Sequence, residues 1–220
     1  MKRPIIGAML AAAVISLVMS SASGQSTPES LLEKRITLQI NQATLLYALS
    51  TLGVDYRIPI GIEWAVGHKA QYHLNIDLKN ETLENVLNEI VGQDKGYSWE
   101  LRDGVINIIP ITSRDEFVEK LLNTRIRRFD QSKKLGKFRL RDAIVELPEV
   151  VALLKANGIM ASHYGYFYES SGLNTDHRVD LNISGTDVRG VLNKVIRETE
   201  HNMWMISRSG KNLSSLDLSF

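Results

Sequence analysis

Residues that could carry out chemistry are few in this chain and are scattered along it. There is no cysteine, so thiolate chemistry and disulfide bonds are excluded. The histidines are His68, His73, His163, His177 and His201. No two of them have the helical spacing that is typical of metal ligands, and no nucleophile elbow, phosphate-binding loop or EF-hand loop occurs. We therefore expect no catalytic residue, no metal and no cofactor.

The strongest charge signal is a basic run between residues 125 and 141, which contains a single acid, Asp130. Its basic residues are Arg125, Arg127, Arg128, Lys133, Lys134, Lys137, Arg139 and Arg141. Such a run is typical of a solvated linker, but it could instead bind an anionic surface such as phospholipid, a cell-wall polymer or an acidic partner. On the second interpretation, the candidate partner-binding residues are Arg127, Arg128, Lys133 and Lys134.

An aromatic run provides the other candidates for partner binding. Tyr164, Tyr166 and Tyr168 alternate with Gly165 and Phe167. Alternating aromatic residues are typical of a core or a sheet face, whereas tyrosines that project from an edge strand are good interface anchors. The three tyrosines are therefore predicted as possible contacts with a partner.

Residues 1–24 have the pattern of a signal peptide. Lys2 and Arg3 precede an apolar segment from Ile5 to Met19, and small residues at 22–24 suit a cleavage site. An uncleaved anchor is the alternative, because the apolar segment is near the lower length limit for a spanning helix. Both interpretations predict an exported protein, periplasmic or secreted.

Charge and composition narrow the choice of partner. Without Lys2 and Arg3 the chain has 24 basic and 25 acidic residues, so no overall field favours nucleic acid. An exported chain without disulfides must be stabilised by packing, which is more usual in a bacterial periplasm than in animal secretions. We expect an envelope protein as the partner, and the oligomeric state stays open.

The elements that must position these residues form a repeat. Residues 72–78 alternate as a half-buried strand, a helix with one apolar stripe follows, and residues 97–101 alternate as a returning strand. The stripe consists of Leu83, Val86, Leu87, Ile90 and Val91. A shift of 105 residues reproduces the stripe as Val188, Val191, Leu192, Val195 and Ile196. The same shift makes Trp204 the equivalent of Trp99. We therefore predict an internal duplication.

The duplication predicts an α+β fold with two tandem domains, each of two βαβ-type units with two helices packed on small sheets. The first domain covers residues 35–110, and the second, a divergent repeat, covers residues 137–220. Residues 111–136 are predicted as a helical and basic linker. The two equivalent tryptophans, Trp99 and Trp204, are assigned to the two cores.

Five local predictions concern single helices and strands. Asn80 is expected to cap the helix that begins near Leu83. Ser113 and Glu116 have the spacing of a capping box for a linker helix. Residues 54–62 are predicted as a strand that Pro59 makes either an edge strand or an irregular one. Phe138, Leu140 and Ile144 are predicted to form a strand of the second domain; the polar tail after residue 210 could add a last strand.

The pattern resembles the short N-terminal domains of secretins and TonB-dependent receptors. The resemblance lies in residues 36–40 with Leu45, Ala48 and Leu49, in residues 74–78 and 82–87, in residues 97–100, and in the closing strand 105–109. It covers most of residues 35–110 and recurs more weakly over 138–208. It implies helices packed against small sheets and a periplasmic role in protein interaction or signalling, with no catalytic residues. Such domains are joined to a barrel or secretin region, which we do not expect in this chain, so it resembles a free-standing double module. The alternative is a resemblance to the C-terminal periplasmic part of the regulators to which those receptors signal, which has a similar pattern.

Three hypotheses for function follow. The first is a non-enzymatic binding module that recognises an envelope protein, with strand addition at an exposed edge as one means. The second is an enzyme or small-ligand binder with an interdomain site lined by the linker and residues 164–177. The third is a structural component that assembles into a ring. A cleft with several ionisable side chains would favour the second, and an exposed strand edge would favour the first.

Overall fold

The computed structural model describes residues 28–67, 73–131, 137–161, 181–199, 201–209 and 211–220. The fold is α+β. The predicted signal peptide, Lys133, Lys134 and the tyrosines at 164, 166 and 168 lie outside the described residues, as does His177. Every helix in the described ranges is too short or too polar to span a bilayer.

The first half of the chain contains three helices and five strands among its described residues. In chain order they are α1 (Pro28–Leu32), β1 (Arg35–Ala43), α2 (Leu45–Asp55), β2 (Ile60–Glu63), β3 (Leu74–Thr82), α3 (Leu83–Gln93), β4 (Tyr97–Arg102) and β5 (Val105–Pro110).

The second half contains four helices and five strands among its described residues, and a short 3₁₀ turn at Lys211–Leu213. In chain order the helices and strands are α4 (Glu116–Leu122), β6 (Arg125–Gln131), α5 (Lys137–Val145), α6 (Pro148–Ala156), β7 (Met160–Ala161), β8 (Leu181–Asp187), α7 (Val188–Glu198), β9 (Met203–Ser209) and β10 (Ser215–Ser219).

The two halves have the same strand topology, which confirms the predicted duplication. Strand β1 pairs antiparallel with β3, and β6 pairs antiparallel with β8. Strand β5 is antiparallel to β4 and parallel to β2, while β10 is antiparallel to β9 and parallel to β7. The two strands of each βαβ-type unit therefore belong to different sheets.

The halves are joined because β2 also pairs, in parallel, with β9. The result is one six-stranded sheet in the order β4-β5-β2-β9-β10-β7. The prediction that Pro59 makes this strand an edge strand or an irregular one was wrong: β2 pairs in regular register on both sides. Pro59 precedes β2, so the strand needs no N–H from it and can lie in the middle of the sheet. Residues 54 and 55, predicted as part of that strand, are the last turn of α2.

Each half nevertheless has its own hydrophobic core, as the repeat predicts. Val86 and Val191, the equivalent centres of α3 and α7, are both fully buried, each in a different cluster. Trp204 is fully buried in the second core, whereas Trp99 packs against the first core and is only partly buried. The apolar stripes thus fix the orientation of both helices in the same way.

The equivalent helices also begin in the same way. Thr82 accepts a hydrogen bond from the Asn85 backbone N–H at the start of α3 (3.3 Å), and Asp187 accepts one from the Gly190 N–H at the start of α7 (2.8 Å). The prediction of Asn80 as the cap was wrong, because β3 continues through Asn80 to the true cap.

Three predictions for the second half were wrong. Residues 137–145 form α5 and not a strand, and the buried Leu140 and Ile144 have the four-residue spacing of one helix face. The linker predicted over residues 111–136 contains the expected helix, but its cap is Asp115 and not Ser113. Arg125–Gln131, predicted as part of the same linker, is strand β6. Its buried Ile126 and Phe129 are three residues apart, which breaks the alternation that indicates a strand. The predicted last strand is present as β10.

Candidate functional site

The joint between the halves, defined as the β2–β9 pair with Gly61, Glu63, Arg189 and Trp204, depends on one glycine. Gly61 lies beside Trp204 in the ladder. A Cβ atom at Gly61 would lie 2.3 Å from two carbons of the Trp204 ring, far inside van der Waals contact. The indole therefore lies across the β2 backbone, and only glycine provides the space for it.

A hydrogen bond from each repeated tryptophan fixes the indole ring. Trp204 Nε1 donates to Asn193 Oδ1 of α7 at 2.9 Å, and Trp99 Nε1 donates to Asn88 Oδ1 of α3 at 3.0 Å. Asn193 and Trp204 are fully buried, whereas Asn88 is exposed and Trp99 half-buried. The difference arises because β2 covers the second pair, and no described strand covers the first.

This contrast gives a matched prediction for stability. We expect Asn193→Ala to lower the free energy of unfolding by about 1–3 kcal/mol, because the buried Trp204 N–H and the Arg102 carbonyl, which Asn193 Nδ2 contacts at 3.2 Å, both lose a partner. Asn88→Ala should cost less than about 1 kcal/mol, since water can replace the exposed amide. Urea denaturation of both variants measures the difference; equal losses would contradict the assigned environments.

A buried ion pair crosses the joint. The Arg189 guanidinium of α7 donates to Glu63 of β2, and each side chain is only 2% exposed. Arg189 also contacts Asn107 Oδ1 at 3.4 Å, while Arg114 Nε lies 3.8 Å from the second Glu63 oxygen. A carboxylate so deep in the protein is stable only with such partners.

Two further acids are paired with arginine. Arg102 Nη2 lies 2.6 Å from Asp187 across the boundary between the halves, and Arg208 Nη1 lies 3.3 Å from Asp115 within the second half. Both acids cap helices as well, since Asp115 accepts from the N–H groups at the start of α4. Ionisable side chains do gather between the halves, as the enzyme hypothesis requires. Their contacts are with one another, which suits a structural joint better than proton transfer.

Sequence reasoning did not identify Glu63 and Arg189 as a pair. Glu63 ends a short apolar strand and Arg189 lies in the first turn of α7, 126 residues away. One signal was available: an acid directly after Ile60-Gly61-Ile62, in a strand buried on both faces, needs a cation.

The basic candidates that the structure describes have intramolecular partners. On β6, Arg127 Nε donates to Glu149 Oε1 of α6 at 3.0 Å, and Arg128 pairs with Asp130. The hydrogen bond from Arg127 lowers the pKa of Glu149. Arg127 is still 84% exposed and Arg128 64% exposed, so both could also contact a partner.

A buried polar group lies at the start of β4. The Tyr97 hydroxyl accepts a hydrogen bond from the Ala65 N–H at 3.0 Å, and burial raises the pKa of Tyr97 to about 12. Asp94 Oδ2 lies 3.9 Å from His73 Nε2. Within the described ranges, no three His, Asp or Glu side chains come together as metal ligands would.

The remaining feature is the outer edge of β4. This strand ends the six-stranded sheet, and no described strand pairs with its outer side. Trp99 lies on it, half-buried, with the exposed Glu100 next to it. An unpaired edge with an aromatic anchor is a surface to which an extended segment can add.

No protein-family model matches the chain, and no curated protein shows significant similarity to it.

Proposed function

We propose that the chain is a non-enzymatic protein-interaction module of the bacterial periplasm, related to the short N-terminal domains of secretins and TonB-dependent receptors. The open edge of β4 supports this proposal most directly. Because β4 is one of two end strands of the described sheet, its outer backbone groups can pair with an added strand.

The arrangement of the two halves also supports the proposal. The resemblance implies helices packed against small sheets, and one helix of each half, α3 in the first and α7 in the second, contacts both a two-stranded sheet and the six-stranded one. Glu63 and Asp187, the acids between the halves, are held by arginines, which favours binding over catalysis at that position.

Site-specific photo-crosslinking tests this function. A photoreactive residue would replace Glu100 on β4, Arg127 on β6 or Met160 on β7, one at a time, in the full-length chain expressed in its own cells. We expect Glu100 to give a covalent adduct with a defined envelope protein, identified by mass spectrometry, because it lies on the open edge.

Each alternative result has a distinct meaning. Adducts from Arg127 that disappear in an Arg128→Gln background would assign binding to the basic strand. Adducts between two copies, from Glu100 and Met160 together, would indicate the ring-forming alternative. No adduct from any of the three positions would contradict the proposed function.

A further inference from the structure

The first half of the chain contains a copy of the joint in which no described strand takes the place of β2. A shift of 105 residues relates Trp204 of β9 to Trp99 of β4, and Asn193 of α7 to Asn88 of α3. Both tryptophans make the same hydrogen bond to their asparagine. In the second half β2 lies against this surface, whereas in the first half no described strand does. The joint therefore shows what the equivalent surface can bind.

The backbone of the joint defines the direction of the bound strand. The N–H of Ile60 donates to the carbonyl of Asn202 at 2.8 Å, and the N–H of Trp64 donates to the carbonyl of Ile206 at 2.8 Å. The strand that binds β9 is parallel to it. The residue of β4 equivalent to Ile206 is Leu101. A segment that adds to β4 in the same way would run parallel to it.

The side chains of the joint define two positions of the bound strand. Gly61 faces the Trp204 ring, where a Cβ atom would clash, so the residue opposite Trp99 should be glycine. Two residues later, Glu63 pairs with Arg189 of α7.

The charge at this second position is reversed in the first half. The equivalent of Arg189 is Glu84, an exposed residue in the first turn of α3. A carboxylate at this position would repel a strand with the sequence of β2 and attract one with a cation in place of Glu63.

We propose that the outer edge of β4 binds an extended segment of another protein, parallel to β4, with glycine opposite Trp99 and lysine or arginine two residues later, paired with Glu84. This inference rests on the proposed function and specifies its binding edge and the chemistry of its ligand. The occupant is a segment of a different protein, because β2, the described strand whose glycine lies against a tryptophan ring, already pairs on both sides.

Peptides based on β2 itself provide the probe. A fluorescently labelled peptide with residues 57–66 of this chain would be compared with its Glu63→Lys form by fluorescence polarisation against the full-length protein. We expect the lysine peptide to bind at least about tenfold more tightly, because its cation meets Glu84. A lysine peptide that also has Gly61→Val should not bind, since its valine would meet the Trp99 ring.

A charge reversal in the protein makes the test specific for the site. Glu84→Arg should reverse the preference, so that the unmodified peptide binds more tightly than the lysine peptide. Glu89→Arg is the matched control, since Glu89 is also exposed on α3 but lies more than a turn further along. It should leave the preference unchanged.

Three results would overturn the inference: equal binding of the two peptides, a preference that Glu84→Arg does not alter, or self-association of the chain through this edge. If the peptides do not bind while photo-crosslinking from Arg127 still gives an envelope protein, the β4 site is wrong and the proposed function stands. If neither experiment gives binding, both proposals fail.

Discussion

Replacement of Arg189 by methionine is expected to lower the free energy of unfolding by about 3–5 kcal/mol, because the Glu63 carboxylate would stay buried without its principal partner. Methionine approximates the length of the arginine stem, so the loss should come mainly from the missing charge. Arg114 remains 3.8 Å from Glu63 and should keep the loss below that of a fully isolated charge. Urea denaturation, with the midpoint and the slope both measured, gives the value.

A double variant separates charge from packing. Glu63→Leu together with Arg189→Met removes both charges, and it should recover most of the stability that Arg189→Met loses. Arg127→Met is the control on the surface. Because Arg127 is highly exposed in its ion pair with Glu149, the loss in the free energy of unfolding should be within about 1 kcal/mol. A loss of that size at Arg189 as well would mean that the buried pair contributes little to the joint.

Replacement of Gly61 by valine should be comparably severe, with a loss of about 3 kcal/mol or more, because the new side chain would overlap the Trp204 ring. The ring cannot easily move aside, since it is fully buried and its N–H is bound to Asn193. We expect β2 and β9 to separate locally. Hydrogen exchange should report this as lost protection at the amides of Ile60 and Trp64, which donate to the carbonyls of Asn202 and Ile206.

Two controls for Gly61→Val use another glycine, Gly92, and the Trp204 ring. Gly92, near the end of α3, has no atom within 4 Å of an added Cβ, so Gly92→Val should change stability little. Adding Trp204→Leu to Gly61→Val removes the clash and should restore the amide protection. If Gly61→Val alone kept the wild-type stability, the indole would not lie across β2 as described.

Sequence patterns predicted the repeat because its strongest parts are local. The α3 and α7 stripes follow a 3.6-residue period within eleven-residue helices, and their Trp partners come eleven residues after the asparagines. These features need no knowledge of distant contacts. Helices α3 and α7 and the equivalent positions of the two tryptophans were therefore predicted correctly, although Trp204 is fully buried and Trp99 only partly buried.

Features that depend on long-range pairing could not be predicted in the same way. Strand β2 has four residues, all buried, and a short apolar run of this kind does not reveal its neighbours. Its pairing with β9 joins residues more than 140 positions apart. The outer edge of β4 could be recognised as a candidate site only through that pairing. The β2–β9 joint shows a strand lying against a Trp–Asn pair, and no described strand lies against the equivalent pair on β4.

The joint brings together two unlike edges, since β2 and β9 occupy opposite ends of their own three-stranded sheets. A contact between unlike edges has a polarity, and each unit that is added presents the same free edge as the one before. Further gene duplication could therefore lengthen this sheet in one direction without any new interface having to evolve, whereas a contact between like edges would have stopped at a symmetric pair.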